Sequence, residues 1–92
     1  MAIKRVAFKV HGTVQGVSFR DFTQRKANGY GVTGWVRNTD DGKVEGEAQG
    51  EEESLQKLLQ DVNKGPRLAH VVKVEKKDID TQEGESNFVI RR

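Results

Sequence analysis

Between Val10 and Arg20 the chain changes its hydrophobic period, and few folds accommodate what lies on the two sides of that change. Ahead of it, Val6, Phe8 and Val10 alternate with Arg5, Ala7 and Lys9. That is the period of a strand covered on one face, so residues 4–10 read as a strand whose Arg5 face is expected to be wet. Beyond it, Phe19, Phe22, Thr23, Ala27 and Tyr30 fall on one stripe of a helix. The intervening residues carry Gly12 and Gly16 and form the expected loop, and Ser18, with Asp21 three positions on, reads as the helix cap. A strand that passes into a helix in this way returns through a right-handed crossover, so the next strand lies parallel to the first.

The same junction suits an anion. The first amides of a helix have no intrahelical partner, their dipole end is positive, and glycine lets the preceding N–H groups turn toward one point. Arg20 falls in the first turn, where helical side chains lean back toward the N-terminus, so its guanidinium fork would hang over the loop. A cation there opposes the helix dipole at a cost of roughly 0.3–1 kcal/mol, a local violation expected where function requires it. On these features alone, an ordinary glycine turn with a solvated arginine fits equally well.

The Asn28-Gly29-Tyr30-Gly31 cluster ends the helix. Residues 32–38 and 43–49 read as strands joined across Thr39-Asp40-Asp41-Gly42, whose Asp-Gly step marks a hairpin. Glu51, Glu52 and Glu53 favour a helix start; Leu55, Leu58, Leu59 and Val62 follow a helical spacing, and Lys64-Gly65-Pro66 stops it. Residues 69–77 and Phe88-Val89-Ile90 read as the last strands. The order β-α-β-β-α-β-β predicts an α+β, ferredoxin-like split β-α-β sandwich, a mostly antiparallel sheet with two helices on one face, as a single domain over residues 1–92. In that arrangement the loop after Val10 and the strand end at Asn38 share one edge of the sheet. With the third strand between them they stand about 10 Å apart, two spacings of ~4.8 Å, which leaves room for a phosphate and a water molecule. Taken alone, Asn38 reads as a turn former.

Composition narrows the function. At this length the core is small, with roughly 60–65 % of the open chain's surface removed on folding. The absence of cysteine excludes disulfides, thiolate metal sites and a cysteine nucleophile. No apolar run approaches membrane-spanning length and the first residues carry no signal-peptide core, so a cytoplasmic protein without membrane attachment is expected. Sixteen basic residues against fourteen acidic ones, without a basic block, argue against nucleic-acid binding and leave room for one local anion site.

Residues 10–20 as a whole, followed by Gly34-Trp35-Val36-Arg37-Asn38-Thr39-Asp40-Asp41-Gly42-Lys43-Val44 with Gly50 beyond, resemble the two signatures of the acylphosphatase family, and nearly the whole chain shares in the resemblance. It implies hydrolysis of acyl phosphates, mixed anhydrides of a carboxylic or carbamic acid with phosphoric acid, to a carboxylate and inorganic phosphate, without metal or cofactor. It places the family's catalytic arginine on Arg20, its catalytic asparagine on Asn38, and its phosphate-cradling amides on Gln15, Gly16, Val17, Ser18 and Phe19. The substrate and the phosphate product are the partners expected, and the chain is expected to act as a monomer. A non-catalytic relative that binds an anion or a partner is the alternative.

The remaining candidates carry less. His11 lies beside the loop, but its place in the alternation puts it opposite the Val6, Phe8 and Val10 face, so it is expected to fill a strand position. His70 is expected at the surface, and Asp40 and Asp41 in turn chemistry. Trp35, Phe8, Phe19 and Phe22 are expected in the core. RNA-recognition domains share this element order, but strand three, Val44-Glu45-Gly46-Glu47-Ala48, carries acids where they need stacking rings.

Overall fold

The first strand, β1 (Ile3–Thr13), is an interior strand of the sheet and hands over to α1 (Phe19–Gly29). The hairpin strands β2 (Thr33–Asn38) and β3 (Val44–Glu51) follow, then α2 (Glu52–Lys64), β4 (His70–Ile79) and the short β5 (Phe88–Ile90). The computed structural model describes residues 2–91. The sheet order is β4-β1-β3-β2-β5. β3 pairs antiparallel with both β1 and β2, so those two are parallel with β3 between them, as the right-handed crossover requires. Among the described residues β5 adds the one parallel pair, alongside β2. This is the predicted ferredoxin-like α+β sheet.

The helices bury their stripes on one face. Val6, Phe8 and Val10 of β1, Val36 of β2, Val44 and Ala48 of β3 and Phe88 of β5 meet Phe19 and Ala27 of α1 and Leu55, Leu58 and Val62 of α2 in one cluster. Each of the valine, leucine and phenylalanine side chains among them contributes roughly 1.5–3 kcal/mol relative to exposure. Thr23, fully buried, donates its hydroxyl to the Phe19 carbonyl one turn back at 2.9 Å, so its burial leaves no polar atom stranded.

Four expectations need correction. β1 does not stop at Val10. Its ladder with β3 ends there, but the pairing with β4 continues through a bulge between His11 and Gly12 to Thr13. Gly12, at φ +132°, lies so close to β4 that a Cβ would stand 2.0 Å from the His70 carbonyl oxygen. It therefore serves strand packing, and the loop begins at Val14.

The far face of β1 is not wet at Arg5, which is only 2 % exposed. The connection from β4 to β5 folds across it and brings Glu85, which accepts from both guanidinium ends at 2.6 and 3.0 Å, while Glu47 of β3 accepts from Nε at 2.9 Å. A side chain read as solvated by alternation is buried because a distant loop and the neighbouring strand each supply a carboxylate.

Two of the four aromatics expected in the core are not there. Phe8 and Phe19 are buried, but Phe22 is half-buried beneath the Lys26 ammonium, and Trp35 is half-buried on the face away from the helices. The Arg91 and Arg37 guanidinium groups lie 4.6 and 5.7 Å from the Trp35 ring centroid, so cation–π contacts cover it in place of core packing.

Ser18 does not cap α1 through its side chain. It adopts the left-handed conformation, φ 61° and ψ 27°, and makes no capping hydrogen bond. The consequence lies in the site.

Candidate active site

The sheet register sets the site's width. Val10 of β1 and Asn38 of β2 both pair with Val44 of β3, so the two strands part from β3 at the same row. The loop after β1 and the start of the β2–β3 turn therefore face each other across about 10 Å, two strand spacings of ~4.8 Å.

Backbone conformation turns the loop into a donor surface. Gly16 stands at φ +74° with open space where a Cβ would lie, and Ser18 is left-handed immediately before helical Phe19. Left-handed followed by right-handed backbone makes successive N–H groups converge into a concavity that holds anions. A non-glycine residue in that conformation costs on the order of 1 kcal/mol or more, a strain that collects at functional sites. Phe22 is the first α1 amide to bond back, to the Ser18 carbonyl at 3.0 Å. Among the described residues the amides from Gln15 to Asp21 have no backbone acceptor.

A cleft of about 530 Å³ opens over these amides, lined by Val14, Gly16, Ser18, Phe19, Arg20, Asp21, Asn38 and Ile90. It brings together Arg20, Asn38 and three of the loop residues singled out from sequence. Gln15 and Val17 do not line it: Val17 packs against the core, and the Gln15 side chain points to the hairpin, where Nε2 donates to the carbonyls of Thr39 at 2.7 Å and Lys43 at 2.9 Å. Arg20 is half-buried and makes no ion pair among the described residues, which leaves its fork of donors to the cleft. Cationic donors and a half-buried neutral amide, set across a polar cleft, can hold the oxygens of a phosphoryl group on one side and a polar molecule on the other.

Val14, Asp21 and Ile90 also line the cleft without a sequence signal. Ile90 comes from β5, whose position beside β2 depends on α1: Gln24 donates to the Phe88 carbonyl at 3.2 Å and Asn28 accepts from the Phe88 amide at 3.1 Å. The role of Gln15 had a signal that passes unread, a long amide beside the buried Val14 and one residue before a glycine turn.

His11 lies outside the cleft. It faces the open side of the sheet and hydrogen-bonds Glu75 of β4, and that bond is the main reason the Glu75 carboxyl is held below its ordinary range. His70 is exposed. Asp41 accepts from Thr39 Oγ1 and from Lys43 Nζ at 2.8 Å, so it titrates well below the usual carboxylate range, chiefly through Lys43, and braces the hairpin turn. Among the described residues no three His, Cys, Asp or Glu side chains gather as metal ligands, and no helix is long and apolar enough to cross a membrane.

A strand-loop-helix junction with unbonded amides, facing an asparagine at a hairpin start across a polar cleft on a ferredoxin-like sheet, defines a class of small α+β domains. The acylphosphatase family model matches residues 6–90. An acylphosphatase from Salinibacter ruber is 45 % identical over 89 residues, which are 97 % of this chain and 94 % of that protein. The acylphosphatase of Clostridium acetobutylicum is 44 % identical over 96 % of this chain and 97 % of its own length. The crystal structure of acylphosphatase from Bacillus subtilis superposes with a TM-score of 0.92 at 36 % identity, covering 97 % of this chain and 99 % of that one. The chain belongs to the acylphosphatase family of hydrolases.

Proposed function

We propose that this protein hydrolyses acyl phosphates to a carboxylate and inorganic phosphate, without a metal ion, at the cleft between the β1–α1 loop and Asn38. The observation that carries the reading is the shared cleft: an unpaired arginine and unbonded loop amides on one wall, and a half-buried asparagine on the other. An acyl phosphate already has a good leaving group. The protein needs mainly to hold the phosphoryl oxygens, balance their charge and aim a water in line.

In this reading the Arg20 guanidinium and the amides of the loop from Gln15 to Phe19, of which Gly16, Ser18 and Phe19 line the cleft, hold the phosphoryl oxygens, and the Asn38 side-chain amide orients the attacking water. As the water oxygen bonds to phosphorus, the bond from phosphorus to the acyl oxygen breaks and the carboxylate departs with that electron pair. The water proton passes to a phosphoryl oxygen, since asparagine takes up no proton near neutrality and His11 stands elsewhere. A carboxylate needs no proton to leave, so no general acid is required.

The test is hydrolysis of benzoyl phosphate by purified protein with and without chelator, followed by acid quench. The expected result is equal turnover in both and no phosphoryl group retained on the protein. Binding of phosphate without turnover would make the chain a non-catalytic anion-binding module, and activity lost to chelator and restored by magnesium would sink the metal-free step.

A further inference from the structure

We propose that the Gln15 side chain is a positioning residue that sets the distance and orientation of Asn38 relative to the phosphate-holding loop, an inference that rests on the reading of the cleft given above. The two walls of the cleft come from strands that do not touch. β1 and β2 are separated by β3, and no backbone hydrogen bond joins loop residues 14–18 to hairpin residues 39–43. Gln15 is the side chain that crosses the gap. Both hydrogens of its Nε2 are used, one on the Thr39 carbonyl at 2.7 Å and one on the Lys43 carbonyl at 2.9 Å.

Neither acceptor depends on Gln15. The Lys43 carbonyl already accepts from the Thr39 amide at 2.8 Å, the Thr39 carbonyl lies 3.4 Å from the Gly42 amide, and Thr39 Oγ1 accepts from the Lys43 amide at 2.9 Å. The hairpin is closed by its own bonds, so the glutamine satisfies no orphaned group there, and what it adds is a link between the two walls. Its attachment point is adjacent in sequence to Asn38, and its own backbone lies in the donor loop. A planar amide bonded at two points fixes orientation as well as distance, whereas a single bond leaves rotation free.

Displacing a reacting group by about 1 Å can cost roughly 10²-fold in rate. A loosened Asn38 loses aim at the water, while the loop amides and Arg20, which sit on the other wall, keep their grip on phosphate. Gln15→Met retains the length and packing of the stem and removes both donors, and Gln15→Ala removes the stem as well.

The experiment measures turnover of benzoyl phosphate and the dissociation constant of inorganic phosphate for the parent, Gln15→Met, Gln15→Ala, Asn38→Ala and the Gln15→Met, Asn38→Ala double variant, all well below their melting temperatures. The expected result is a fall in kcat of about 10-fold to 10²-fold in Gln15→Met with phosphate affinity within about 3-fold of the parent. In the Asn38→Ala background Gln15→Met should cost almost nothing more, because a residue acting through another has nothing left to position. A parental kcat with a lowered melting temperature would reduce Gln15 to a structural brace and overturn the proposal. Additive losses, or a loss of phosphate affinity matching Arg20→Ala, would overturn it equally.

A readout that needs no turnover is phosphate titration of isotopically labelled protein followed by NMR. In the parent the loop amides and the Asn38 side-chain amide should shift together. In Gln15→Met the loop should still respond with parental affinity while the Asn38 response falls away, and an unchanged Asn38 response refutes the link. If the parent binds phosphate but turns over nothing, the hydrolytic reading fails while this titration still decides the role of Gln15.

Discussion

Val10 and Asn38 pair with the same residue, Val44, from opposite sides of β3. That shared register places the loop after β1 and the hairpin after β2 on one edge at a separation of two strand spacings, and the cleft follows from it. The two walls can be perturbed independently, and the chemistry assigned to each predicts a different loss.

Arg20→Ala should weaken inorganic phosphate binding and abolish turnover, and Arg20→Lys should restore little, because an ammonium does not reproduce a bidentate fork. Asn38→Ala should bind phosphate about as well as the parent while losing turnover by roughly 10²-fold or more. Calorimetric phosphate titration beside benzoyl phosphate kinetics checks both. If Asn38→Ala loses phosphate affinity as fully as Arg20→Ala, or keeps parental turnover, its assignment to the water is wrong.

His11→Gln should leave turnover within a few-fold of the parent, since His11 bonds Glu75 on the open face of the sheet. Loss of a general base typically costs about 10²–10⁴ in rate. A drop of that size in a variant with parental circular dichroism would place the imidazole in the reaction.

The buried Arg5 makes stability depend on acid. Hydrogen bonds from Arg5 are the main cause of a Glu85 carboxyl held below its ordinary value of 4.5. A carboxyl whose folded value lies below its unfolded one stabilises the fold above the unfolded value, and that contribution disappears as pH falls through the folded value. Glu85→Gln should therefore cost about 2 kcal/mol near neutrality, with Glu47 still pairing Arg5, and progressively less below pH 4.5. Urea unfolding of parent and variant across that range checks it; a difference that stays constant into acid contradicts the pairing.

Gly12→Ala and Gly16→Ala separate packing from function. At Gly12 the new methyl would meet the His70 carbonyl oxygen at 2.0 Å, so the variant should lose about 3 kcal/mol or β4 must shift. At Gly16 nothing lies within reach of a Cβ, so the cost is conformational, about 1–2 kcal/mol, and phosphate affinity should fall as the donor concavity relaxes. Denaturant midpoints and phosphate titrations on both variants check this. Equal stability losses would show that the close approach of β4 at Gly12 is not what that glycine serves.

Much of this molecule is determined by nearest neighbours in sequence. The alternation in β1, the stripes of α1 and α2, the Asp-Gly turn and the Gly65-Pro66 stop each depend on a few residues, and the element order with right-handed crossover then leaves few sheets to choose from. Position alone leaves Arg20 readable as a solvated arginine and Asn38 as a turn former; the resemblance to the two acylphosphatase signatures singles them out, and their shared edge follows from topology. What alternation cannot show is which segment later covers a face. Arg5 read as wet because its partner Glu85 is eighty residues away, and Trp35 read as core because its cover, Arg91, comes from the far end of the chain. The left-handed Ser18, the strand assignment of Gly12 and the bridge from Gln15 to Thr39 and Lys43 are likewise decisions of tertiary structure. The last two depend on contacts between segments that only the assembled sheet brings together, and such contacts outweigh local preferences that differ by about 1 kcal/mol or less.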